Sequence, residues 1–113
     1  MRIIRIQILV VGFMLMIVCS AVSMATDQEY VLTIKDHKFS PPELVVPAEK
    51  RIEIRVENHD ATREEFESYE LNREQEIEGN DQIVVFIGPL KPGKYKYFGE
   101  FHQDTAQGII TAE

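Results

Sequence analysis

From position 29 onward the chain alternates apolar and polar residues with period two, as half-buried strands do. Tyr30, Leu32 and Ile34 interleave with Val31, Thr33 and Lys35. Pro41 and Pro42 then interrupt the pattern, because neither can donate to an interior ladder. A short extended run at 44–46 stops at Pro47. The clearest strand is 51–57, where Ile52, Ile54 and Val56 share one face and the charges share the other. Residues 58–62 read as a loop, and 64–69 as a strand with Phe66 turned inward. The stretch 72–78 is open between strand and helix, since Arg, Glu and Gln also favour helix. Residues 82–87, 94–98 and 107–112 alternate again, separated by turn signals at Gly79-Asn80-Asp81 and Pro92-Gly93. This pattern predicts seven or eight strands and no long helix. The fold class it implies is all-β, an antiparallel Greek-key β-sandwich in which each sheet buries one face. Tyr30, Phe66, Phe86, Tyr95, Tyr97, Phe98 and Phe101 read as core. The strand at 95–98 carries aromatics on both faces, so one face is free to meet a partner.

Residues 1–25 break from this pattern and read as a secretory signal peptide. Arg2 and Arg5 lead an apolar run at 6–19, and Ser23-Met24-Ala25 offers small residues to a signal peptidase. The run is shorter than the ~20 residues a spanning helix needs. Cys19 raises a lipoprotein reading, but Met16-Ile17-Val18 lacks the small residue expected before a lipidated Cys. Cleavage after Ala25 leaves one domain, 26–113, without cysteine.

Composition narrows the partners. The 113 residues carry 12 basic and 19 acidic side chains, a net charge of −7. Without Arg2 and Arg5 the balance becomes −9. So acidic a domain suits a cationic partner, a metal ion included, and not a nucleic-acid backbone. Ser40 and Ser68 sit in no Gly-flanked nucleophile elbow, and there is no phosphate-binding glycine loop.

The candidate chemistry lies in carboxylates and histidines. Glu64-Glu65-Phe66-Glu67 places three acids around one inward aromatic. In a strand Glu65 and Glu67 share one face, and Glu64 shares the other with Phe66. Paired carboxylates attract a hard cation such as iron, or Cu(II) where a histidine joins them. Glu100-Phe101-His102-Gln103-Asp104 is the second cluster, in a loop where a sandwich would present a ligand. A carboxylate beside His102 could orient its ring and hold its tautomer. His37 and His59 lie in two other loops, and for His37 turn capping and ligation are both open.

Four segments, in order, carry a resemblance. They are Ile34 through Leu44 with its Phe39-Ser40-Pro41 step, Val56-Glu57-Asn58-His59-Asp60, Gly93 through Gly99, and His102 through Gly108. Together they resemble the EfeO-type cupredoxin-like family over roughly 30–113. The resemblance implies a cupredoxin-like sandwich of a periplasmic protein tied to iron transport. It also implies where a blue-copper site would fall. Such a site needs two His, a Cys thiolate and a weak axial ligand. The matching positions here are Glu64 for the first His, Gly99 for the Cys, His102 for the second His and Gln107 for the axial ligand. The thiolate is absent, so the resemblance implies no type 1 copper.

The expected function is therefore a periplasmic metal-binding protein assisting iron, or iron and copper, uptake. Its expected metal ligands are Glu64, Glu65, Glu67 and His102, with Glu100 and Asp104 peripheral. The resemblance implies an inner-membrane iron permease or another periplasmic metal-binding protein as partner. Two alternatives stand beside it: a metal-free scaffold docking on a permease, and a redox partner that oxidises ferrous iron.

Overall fold

The computed structural model describes residues 28–113. The signal peptide expected at 1–25 lies outside the described residues. Nine strands follow in chain order: β1 (Tyr30–Lys35), β2 (Lys38–Ser40), β3 (Glu43–Val46), β4 (Ile52–Asn58), β5 (Glu64–Ser68), β6 (Arg73–Ile77), β7 (Gln82–Ile87), β8 (Gly93–Gly99) and β9 (Gln107–Ala112). A 3-10 turn, Glu100–His102, joins β8 to the last loop. The strands form two sheets, β2-β1-β4-β7 and β3-β9-β8-β5-β6.

The alternation does what it predicts. Leu32, Ile34, Ile54, Val56, Val85 and Ile87 point from the first sheet into the core. Phe66, Ile77, Tyr97 and Ile110 meet them from the second. At the centre Tyr97 stacks on Phe66, with ring centroids 5.1 Å apart, and meets the edge of Phe39 at 4.9 Å.

Three expectations change. The count is nine strands, because β2 forms just before the prolines and the ambiguous 72–78 stretch contains β6. The sheets are mixed, since β1 pairs with β4 and β3 with β9 in parallel. Between β1 and β4 the chain visits the other sheet as β3, and such a crossover returns in the parallel sense. Residue periodicity is the same for both directions. Finally, Phe86 and Phe101 are exposed. Phe86 shares its face with Val84, opposite Val85 and Ile87, and lies under the Arg51 guanidinium. Phe101 leaves the sheet in the 3-10 turn, where Arg63 covers it.

Candidate metal centre

β5 is the element that positions the site. Phe66 anchors it in the core, so strand alternation sends Glu64 inward and Glu65 and Glu67 to the outer face. The four ligands expected from sequence are thus divided. Glu64 and His102 meet on the inside, whereas Glu65 and Glu67 gather with Glu74 on the outside.

Glu64 is only 1% exposed, and its carboxylate is fully engaged. Oε1 accepts the N–H of Glu65 at 3.0 Å and that of Phe101 at 2.9 Å. Oε2 lies 2.5 Å from Nδ1 of His102. The 3-10 turn places this histidine, and the Ala106 N–H closes the loop onto the His102 carbonyl at 2.8 Å. A carboxyl group can be this buried because two N–H donors and an imidazole nitrogen take the place of its water.

His37 completes the group from the β1–β2 turn. Its ring lies flat on that of His102, with centroids 3.5 Å apart and an interplanar angle of 11°. Ligand atoms of His37, Glu64 and His102 all fall within 4.8 Å of one another. Sequence reasoning left His37 and His59 on equal footing. The structure separates them, because His59 is exposed and pairs with Glu57 at 3.1 Å.

The outer group has the opposite electrostatics. Ligand oxygens of Glu65, Glu67 and Glu74 also lie within 4.8 Å of one another. The groups facing the Glu65 carboxyl are acids. Its hydrogen bond to Glu74, then burial, then the charges of Glu74, Glu67 and Glu100 push it up to about 7. Glu67 is pushed up to about 7 as well, chiefly by its hydrogen bond to Glu100. At neutral pH this cluster shares protons that a cation could replace. Glu74 escaped the sequence reading because 72–78 was ambiguous. Its register opposite Glu67 would have revealed it.

The residues test the fold's usual metal site directly. Gly99 sits opposite Phe66 in the β5–β8 ladder, with ordinary extended backbone. A Cβ on Gly99 would come within 2.7 Å of both the Glu64 carboxyl carbon and the Ala106 Cβ. No thiolate fits while Glu64 occupies that space. Gln107, matched to the axial position, is exposed and donates its amide to the Gln103 carbonyl at 2.9 Å. The donor set does not fit type 1 copper. Two imidazoles and a carboxylate fit a borderline divalent ion such as Cu(II), Zn(II) or Fe(II).

The described residues form a nine-stranded, two-sheet β-sandwich, and sequence comparison gives its family. The chain belongs to the cupredoxin-like domain family, whose profile matches residues 7–112. An uncharacterized protein of Rickettsia prowazekii (strain Madrid E) is 51% identical over 82 residues. That match covers 73% of this chain and 66% of the relative, just under two thirds of its length. Among solved structures, auracyanin A, a "blue" copper protein of Chloroflexus aurantiacus, superposes with a TM-score of 0.64 at 15% identity, covering 76% of this chain and 98% of that one. Amicyanin from Paracoccus versutus gives 0.61 at 16% identity, covering 78% and 84%. The metal-binding domain of the Streptococcus pneumoniae Cu(I)-exporting ATPase CopA gives 0.64 at 14% identity, covering 76% and 85%. At these identities the likeness concerns the fold.

Proposed function

We propose that this protein is a metal-binding cupredoxin-like protein that holds copper or iron through hard and borderline ligands in place of a thiolate. The observation that carries the reading is the convergence of His37, Glu64 and His102. They come from three separated chain segments, and the Cys position beside them is closed by the Glu64 carboxylate. Glu64 Oε2 and His102 Nδ1 already face each other, so an ion replacing the shared proton would bind both. When bound, the ion would supply a positive charge and a Lewis-acid or redox centre at the end of the sandwich. Glu64 and the two imidazoles would bind and orient it, with His37 supplied by the β1–β2 turn.

The outer carboxylates Glu65, Glu67 and Glu74 carry the iron side of the proposal, because an all-oxygen set suits a hard cation. In this reading the protein is exported through the leader expected at 1–25. It serves iron, or iron and copper, uptake beside an inner-membrane permease or another periplasmic metal-binding protein, as in the EfeO-type family. The acidic charge of the domain supports a cationic cargo.

The test is calorimetric titration of 26–113 with Cu(II), Zn(II) and anaerobic Fe(II), beside Glu64→Gln and His102→Ala. Gln keeps an oxygen for the two N–H donors but removes the charge, so the fold should survive. Cu(II) and Zn(II) binding should weaken about 100-fold or more in each variant, beyond the usual effect of an outer-shell change, while Fe(II) held by the outer carboxylates should be retained. A wild-type protein that binds none of these ions would overturn the reading. It would leave the Glu64–His102 pair as a structural lock and the domain as a docking scaffold.

A further inference from the structure

The loop Asn58-His59-Asp60 stands out in the sequence, and metal binding at Glu64 and His102 does not by itself explain it. Its contacts lead to His37. The β1–β2 hairpin turns through two residues, Asp36 and His37, with Lys35 paired to Lys38 on either side. Both have positive φ, 51° and 57°. A two-residue turn of this kind favours Asn and Gly, because a Cβ is crowded in the left-handed region. A histidine held there needs outside support.

Asp60 supplies it from 23 residues away. One carboxylate oxygen accepts the Asp36 N–H at 2.8 Å, and the other accepts the His37 N–H at 2.9 Å. The second oxygen also lies 3.5 Å from His37 Nδ1. Asp60 is itself fixed. Its N–H donates to the Asn58 side-chain oxygen at 3.0 Å, and its carbonyl accepts the Asn80 N–H at 2.8 Å. Asn58 is 2% exposed; its amide donates to the Thr62 carbonyl within the loop and to the Ile77 and Glu78 carbonyls at the end of β6. The rigid chain therefore runs from Asn58 through Asp60 to the hairpin backbone, and ends with the His37 ring on His102.

We propose that Asp60 is a positioning residue that presents His37 as the third metal donor. The proposal rests on the metal-binding reading above. Asp60 grips the two backbone N–H groups at 2.8 and 2.9 Å and ring Nδ1 only at 3.5 Å, so it fixes where the ring starts and leaves it room to tilt. That freedom is needed, because imidazole lone pairs lie in the ring plane and two parallel stacked rings do not point at one ion. A plain loop staple would share the hydrogen bonds, but it would not influence how many nitrogens bind a metal.

The experiment compares wild type, Asp60→Ala, Asp60→Asn and His37→Ala in the 26–113 protein, with circular dichroism to confirm folding. Asp60→Asn retains one oxygen acceptor and serves if the alanine variant does not fold. In the metal-free protein, the His37 ring protons should show an upfield NMR shift from the His102 ring, lost in the Asp60 variants. With Cu(II) added, EPR nitrogen couplings should count two imidazoles in wild type and one in His37→Ala and Asp60→Ala. Copper affinity should fall about tenfold or more in both. Two nitrogens and unchanged affinity in a folded Asp60 variant would overturn the proposal, as would one nitrogen in wild type. An unshifted His37 ring in wild type would overturn the positioning alone. No copper binding by wild type would overturn the metal-binding reading itself.

Discussion

Glu64 and Glu65 are neighbours in the chain, and both residues are largely covered, 1% and 6% exposed. Glu64 faces two backbone N–H groups and a histidine. Glu65 faces other carboxyls and is pushed up to about 7, first by its hydrogen bond to Glu74. The contrast lies in the partners: Glu64 is met by hydrogen-bonding groups, whereas neighbouring acids push Glu65 up. The alternation of one strand has built two different sites back to back.

Removing Glu64 should have the largest effect. Glu64→Ala leaves two backbone N–H groups and His102 without their acceptor, and should cost about 3 kcal/mol in urea unfolding. Glu65→Ala removes no acceptor for an N–H group and should cost clearly less. Equal losses from the two would break the comparison. Gly99→Cys comes next. The new side chain would press on Glu64 and Ala106, so unfolding should show a loss of about 1–3 kcal/mol. Its copper complex should lack the intense blue absorption of a thiolate site as long as Glu64 remains.

The outer face should reveal itself through pH. Glu65 and Glu67 hold protons in the folded protein up to about pH 7, whereas their ordinary value is 4.5. Between these limits the folded state binds more protons than the unfolded chain, so stability falls as pH rises. The melting temperature of metal-free protein should drop from pH 5 to pH 8. In a Glu65→Gln/Glu67→Gln variant the drop should be flatter, and stability at pH 8 should rise. An unchanged slope would show that the cluster does not carry these protons. The smallest effect should come from Arg63→Ala, which removes an exposed ion pair with Glu76 and uncovers the exposed Phe101 ring, and should change unfolding by less than about 1 kcal/mol.

Much of this was legible in the sequence. Ile52, Ile54 and Val56 mark their strand and its buried face without help, as do Ile83, Val85 and Ile87. The inward Phe66 fixes which acids share a side. Strand direction was not legible, because a period of two is the same for parallel and antiparallel pairs. The His37–His102 stack was hidden for a related reason. Those residues lie far apart in the chain, and only the pairing of the two sheets brings the β1–β2 turn over the 3-10 turn. The Asp60 clamp was visible only as a short motif, since its partners are backbone N–H groups that any residue would supply. Phe86 was misplaced because aromatic content alone does not reveal that Arg51 can cover an exposed ring.

The most direct test of the central claim is a crystal of the 26–113 protein soaked in Cu(II), with anomalous diffraction collected at the copper edge. The account predicts one strong peak between the Glu64 carboxylate and His102 Nδ1, with the His37 ring tilted toward it. No peak there, with copper found only at the exposed His59, would contradict it.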